Sequence, residues 1–363
     1  MDKLNTELFD TIHEFDTSKI PNEEMIEAKK KYSFFNSQIM KKAKQTKCIL
    51  CGKECTSFCN SHTIPRFVLK NISNKGYLAH SYSGLQMPLI EKETGVNKTL
   101  TFSCICNNCD NTKFQEYENP DNYKKPTTKV MMSQIALKNT LRMYSKRLIE
   151  IEMHKELLYV DPTSYQRIKV DEIDLNDYKN EIMQIKNGKT DYYLIDEIEL
   201  NYRTSIAFQG ICSLVSGFGG EQINDIYNMD SKYEIQGLHI AIFPISEGKT
   251  KILLFIKDGH TRLRPFYKKY RKLNLKEKLY AINYILLLYS EDWVCNPSSI
   301  KILSSDEKIK EIIKTNSNST IQFGDEFDRM EFKKKVKEAS LSKFKLQFCG
   351  ELYNFLENHE DEN

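Results

Sequence analysis

The second half of the chain carries its apolar residues in short dense runs, "YYLIDEIEL" (192–200), "LHIAIFPI" (238–245) and "TKILLFIKD" (250–258), rich in the β-branched and aromatic types that strands favour. The last two flank "SEGKTK", where Gly248 sits at the place of a hairpin turn. A different spacing governs 130–158. Apolar Val130, Ile135, Leu141, Met143, Leu148 and Ile151 recur at intervals that put them on one side of a long helix. Two more helices are expected over 275–289 and 326–355. Runs of strands followed by helices read as an α+β arrangement for 130–355, with Trp293 in its core and an acidic, disordered tail at 356–363, "ENHEDEN" being its last seven residues.

The N-terminal segment, 1–45, is polar and helical in pattern. Lys29, Lys30, Lys31, Lys41, Lys42 and Lys44 surround Tyr32, Phe34, Phe35, Ile39 and Met40. That fits an amphipathic helix docked on the body with solvated lysines, or a basic arm along a phosphate backbone. Between this helix and the long one lies a cysteine-rich unit, 46–120, ended by "ENPDNYKKPTT", whose Pro120 and Pro126 interrupt regular structure.

Composition narrows the class. Apolar residues make up 40% and charged residues 28% of 363, ordinary values for a globular chain. Lysine plus arginine number 53 against 50 acids, so the net charge of +3 leaves any affinity for polyanions to local patches. One patch is "RLRPFYKKYRK" (262–272), in which Arg262, Arg264, Lys268 and Lys269 interleave with Phe266, Tyr267 and Tyr270; it suits a nucleic acid backbone or a solvated surface run. The N-terminus lacks the basic and apolar regions of an export signal, and the most apolar window, 280–289, is about half the roughly 20 residues a membrane span needs. A cytoplasmic chain with no membrane partner is expected.

Seven of the ten cysteines cluster in one stretch, at positions 48, 51, 55, 59, 104, 106 and 109. Cys48-x-x-Cys51 and Cys106-x-x-Cys109 supply the four thiolates of a closed tetrahedral zinc site. Cys55, Cys59 and Cys104 remain over, as small core residues or alternate ligands. Between the two knuckles stands "NSHTIPRF" (60–67). His62 is the side chain suited to take a proton from water near neutral pH; it can also be read as a zinc ligand or as a histidine packed behind the knuckle.

This set, Cys48 and Cys51, then Ser61-His62-Thr63-Ile64-Pro65, then "CNNCDNTKFQEYE" (106–118), resembles the HNH endonucleases, and more narrowly a bacterial group with a CxxC, Ser-His-x-Ile-Pro, CxxC-Asp/Glu pattern followed downstream by a Tyr-Glu pair, here Tyr117 and Glu118. The resemblance covers positions 48–118. It implies a treble-clef, ββα-metal module, metal-dependent hydrolysis of DNA, and a role in genome defence or restriction. His62 would activate water, while Asp110, with or without Glu118, would hold Mg²⁺ or Mn²⁺. By the helical period Asp110, Phe114 and Glu118 form a row. Glu118 is otherwise a surface acid; Asn111 and Lys113 lie close enough to meet phosphate or metal, and Arg66 is a further candidate nucleic-acid contact. Ser61 stands where the family pattern often has an acidic residue, and Asn97 is the one candidate for its middle asparagine. The rest of the chain would select the target, or answer to a regulatory protein or a small-molecule signal. The alternative is a noncatalytic zinc-binding protein that scaffolds nucleic-acid or protein recognition.

Overall fold

The computed structural model describes residues 22–81, 93–158, 164–218, 220–225, 228, 230, 232–246, 248–310, 312 and 352–358. It is a mixture of helices and antiparallel sheets. The first helix, α1 (Asn22–Lys42), buries Ile39 and leaves Phe34 and Met40 exposed, so only part of the expected apolar group is docked. Lys42 at its end pairs with Glu156 of the long helix α5 (Lys129–Leu157). Thr128 caps α5, its hydroxyl accepting from the Met131 amide. Ile135, Leu141 and Ile151 are buried as expected, whereas Val130 is exposed.

A helix that the opening pattern missed, α6 (Ser164–Lys186), packs on α5. Arg147 of α5 meets Asp171 and Asp174, and Leu137 shares a small cleft with Ile185 and Lys186, so the two helices run antiparallel. Ile168, Leu175, Ile182 and Ile185 carried the helical signal, diluted by charged neighbours.

Between α1 and α5 come β1 (Ser61–His62), α2 (Arg66–Ile72), β2 (Tyr77–His80), β3 (Glu93–Gly95), β4 (Thr101–Phe102), α3 (Asn107–Lys113) and α4 (Gln115–Glu118). After α6 come β5 (Tyr192–Leu200), β6 (Ile206–Cys212), β7 (Leu238–Ser246), β8 (Lys249–Lys257), α7 (Arg264–Tyr270), α8 (Leu275–Tyr289), β9 (Trp293–Cys295) and α9 (Ile300–Ser305). The expected strands and the 275–289 helix are present at those positions. Asn274 and Glu277 close a capping box at the start of α8. β6 was not anticipated, since Gln209 and Gly210 interrupt its apolar run. A Cβ at Gly210 would come within 2.8 Å of the Phe208 ring, so the strand uses a residue that strand patterns disfavour.

β1 and β4 form a two-stranded ladder, and the other seven strands form one sheet in the order β3-β2-β9-β6-β7-β8-β5, every pair antiparallel. The cysteine-rich unit therefore contributes β2 and β3 to the larger sheet, through Ala79 opposite Cys295 and His80 opposite Val294. The proline-rich stretch is also fastened down: Tyr123 is buried edge-on against Phe243, and the Thr127 amide donates to Glu197 of β5.

The pleat sorts the sheet into two faces. Ile240, Ile242, Ile252, Leu254 and Ile256 point into a core closed by α7, α8 and Leu352, Phe355 and Leu356. Ala241, Phe243, Leu253, Phe255 and Val294 point into a second core shared with α5 and the cysteine-rich unit. Leu356 is buried, so the expected tail from residue 356 begins with a core residue. Residues 352–358 are not helical; 326–351 of the expected last helix, and 359–363 of the tail, lie outside the described residues.

Candidate metal centre and histidine site

The sequence around Cys48 makes a tight turn. The Gly52 amide donates to the Cys48 carbonyl at 2.8 Å, and Gly52 adopts φ +73°, which glycine takes at least cost. Cys106 sits as the extended residue before α3, and its amide donates to the Cys48 sulfur at 3.3 Å. The ligand sulfurs of Cys48, Cys51, Cys106 and Cys109 all lie within 4.8 Å of one another, Cys51 and Cys106 being 3.8 Å apart. A hydrogen bond from the Cys109 backbone lowers the Cys106 thiol, whereas burial raises Cys48 and Cys109, so it is the proximity of the four sulfurs and not their acidity that marks the site. Four sulfurs at that spacing can hold one metal ion. It is the only group of three or more metal-ligating side chains so placed among the described residues.

The leftover cysteines have separate roles. Cys104 is buried in the second core; Cys55 hydrogen-bonds the Lys53 carbonyl; Cys59 donates to Asp110 Oδ2 at 3.1 Å. Burial and the adjacent Asp110 push the Cys59 thiol up to about 12, so it keeps its proton.

His62 is half-buried on β1, opposite Thr101, with its Nε2 2.9 Å from the Val96 carbonyl oxygen. A carbonyl can only accept, so Nε2 carries the hydrogen and Nδ1 of the neutral ring is the basic nitrogen. Burial, with the Lys138 and Arg66 charges, lowers the His62 pKa against the opposing pull of the Val96 bond, so the ring is neutral at pH 7. The middle-asparagine candidate, Asn97, is exposed; its side chain accepts from Arg66 at 2.8 Å and its carbonyl from Asn60 at 3.2 Å.

Asp110 and Glu118 do converge, as the helical row predicts, although Phe114 breaks the helix between them. They converge on Lys138 of α5. Its ammonium donates to Asp110 Oδ1 at 2.7 Å and Ser61 Oγ at 2.8 Å, and lies 3.0 Å from Glu118 Oε1. The Phe114 ring lies 3.8 Å from the same nitrogen. The Lys138 side chain is 1% exposed. Burial alone raises the Asp110 carboxyl, but Lys138, Ser61 and Cys59 outweigh it and the net shift is downward. Glu118 is raised, burial exceeding the pull of Lys138. The oxygens that would ligate a catalytic Mg²⁺ or Mn²⁺ thus already surround a fixed cation, and the group does not fit a divalent ion as it stands.

Lys138 had no motif to announce it. Its signal lay in position: one helical turn from both Ile135 and Leu141, it shares their buried stripe. A lysine there requires a partner, because burying an unpaired ammonium is costly.

The expected nucleic-acid contacts fall in different settings. Arg66 and Lys113 are exposed at the ends of α2 and α3. In the 262–272 stretch Phe266 and Tyr270 are buried in the first core, while Tyr267 is half-buried beside Arg271 and Tyr193. Arg262 is held by the carbonyl oxygens of Ile223 and Glu234 and lies over Tyr233. Lys269 faces Glu221 at 3.2 Å, while Arg264 and Lys268 are exposed. His239 and His260 are buried, and Trp293 is in the core as expected. No described helix is long and apolar enough to cross a membrane. Comparison with protein-family models, curated proteins and solved structures finds no match to this chain, so its likeness to the HNH endonucleases rests on the motif residues of 48–118.

Proposed function

We propose that residues 46–120 form a zinc-bearing, treble-clef HNH-like module that hydrolyses phosphodiester bonds of DNA, with His62 as general base. Four thiolates favour zinc, whose tetrahedral bonds of about 2.3 Å place sulfurs about 3.8 Å apart, and the Cys51–Cys106 separation is 3.8 Å. Cys109 is followed at once by Asp110, and Ser61 precedes His62, so the metal cage and the Ser61–Asp110 hydrogen bond of 2.6 Å hold strand and helix in register. The observation that carries the reading is the His62–Val96 bond. It fixes the ring, assigns the tautomer and leaves a neutral imidazole with a basic Nδ1.

In that reaction His62 Nδ1 takes a proton from water as the oxygen attacks phosphorus. The bond to the 3′ oxygen breaks, and the leaving oxygen is protonated from solvent. Arg66 and Lys113 are exposed cations within the module that suit the phosphate backbone.

A noncatalytic recognition module is the second reading, favoured by Lys138, which engages both acids that would bind a catalytic cation. Supercoiled plasmid incubated with the protein in Mg²⁺, in Mn²⁺ and in chelator separates the two. Nicked circles from the wild type and none from His62→Ala, at equal zinc content, are the expected result. Nicking that survives His62→Ala removes the base; no nicking in any condition, with plasmid still retarded in a gel, leaves recognition.

A further inference from the structure

Three oxygens from three elements meet around the buried Lys138 nitrogen: Ser61 Oγ of β1, Asp110 Oδ1 of α3 and, from the rim, Glu118 Oε1 of α4. Two carboxylates and a hydroxyl are the hard donors a divalent ion takes. What stands there is the Lys138 nitrogen, within 3.0 Å of all three, with the Phe114 ring 3.8 Å away. The remaining capacity is also used, since Ser61 donates to Asp110 Oδ1 and Cys59 donates to Oδ2. We infer that Lys138 is the resident cation of this site: its ammonium excludes Mg²⁺ and Mn²⁺ from the Asp110–Glu118 pair, and its removal would turn the cluster into a divalent-metal site.

A doubly charged ion approaching a fixed ammonium inside a low-dielectric pocket meets repulsion, and the oxygens it needs are already oriented toward the nitrogen. The ammonium has a second effect. By bonding Ser61 it anchors β1 next to His62, so Lys138 is a positioning residue; at 1% exposure it does not reach a substrate. If His62 cleaves phosphodiesters, it does so with no divalent ion between Asp110 and Glu118. The inference stands on the geometry of the cluster and does not depend on whether cleavage occurs.

Manganese binding tests it without any assay of activity. The zinc-loaded full chain is titrated with Mn²⁺, free ion being followed by electron paramagnetic resonance. Wild type should show no saturable binding. Lys138→Met should take up one Mn²⁺ with a dissociation constant on the order of 10⁻⁴ M, and adding Asp110→Asn should abolish it. A wild-type site that Glu118→Gln removes overturns the inference, as does a folded, zinc-replete Lys138→Met that binds none. Glu118 lies at the rim with a 37% exposed side chain, so this arm decides even if Lys138→Met does not fold. Cleavage of plasmid is scored separately, so failure of one reading does not count against the other.

Discussion

The two faces of the seven-stranded sheet are built on different rules. The face covered by α7 and α8 is mainly an apolar core of isoleucine, leucine and aromatic side chains, with Asn283 of α8 buried beside it and bonded to the backbone of Tyr353 and Phe355. The opposite face, under α5 and the cysteine-rich unit, holds a chain of buried polar groups in its apolar surroundings. Gln209 donates to Asn139 at 3.0 Å, Asn139 lies 3.2 Å from His239 Nδ1, and its neighbour on α5 is Lys138 with its two acids. An apolar core needs volume and little geometry, whereas buried polar groups lose far more when one partner is missing. The polar face is therefore the one that specifies how the module sits, and the apolar face the one that tolerates change.

The largest test of that contrast is removal of a metal ligand. Cys106→Ser should abolish zinc binding and unfold the module, because binding of a structural zinc is worth on the order of 10 kcal/mol. Cys212→Ser, in the apolar core, should keep the zinc; elemental analysis and circular dichroism read both. If Cys106→Ser retains one zinc per chain, the cage is not the four-cysteine set. Next in size, Leu254→Ala on the apolar face should cost about 3 kcal/mol in urea unfolding while leaving zinc content unchanged. A loss of zinc in that variant would show that the two faces are one unit.

The smallest effect concerns pH. Burial, with the charges of His260 and Lys257, lowers the His239 pKa from 6.5 to about 3. As pH falls, the unfolded chain takes up this proton first, so the stability His239 allows is complete above pH 6.5 and declines between 6.5 and 3. At pH 5 the loss from this residue is about 2 kcal/mol. His239→Gln, which keeps an acceptor for Asn139 and cannot titrate, should flatten the difference in urea midpoint between pH 7 and pH 5 by about that amount. An unchanged difference would assign the acid sensitivity to other groups.

Much of the fold and part of the site could be read before any coordinates. The strands at 192–200, 238–245 and 250–258 and the helix at 275–289 follow from local runs whose spacing matches one element and no other. The two CxxC pairs announced their own convergence, since thiols at that spacing serve a common metal. The helical period placed Asp110, Phe114 and Glu118 on one side, and they do converge, although the helix breaks at Phe114. Each of these signals is confined to a few neighbouring residues, which is why sequence carries it.

What only the tertiary structure decided is what those residues meet. β6 was hidden because its glycine and glutamine make sense only beside Phe208 and Asn139. β2 joins the larger sheet because it finds its partner in β9, more than 200 residues further along the chain. Lys138 reads locally as one more helical lysine. Only packing α5 against β1, α3 and α4 brings its ammonium between the carboxylates of Asp110 and Glu118, which belong to other helices. Burial and charge pairing are properties of the assembled elements, so the ion pairs of Lys138 with Asp110 and Glu118 could be read only from the fold.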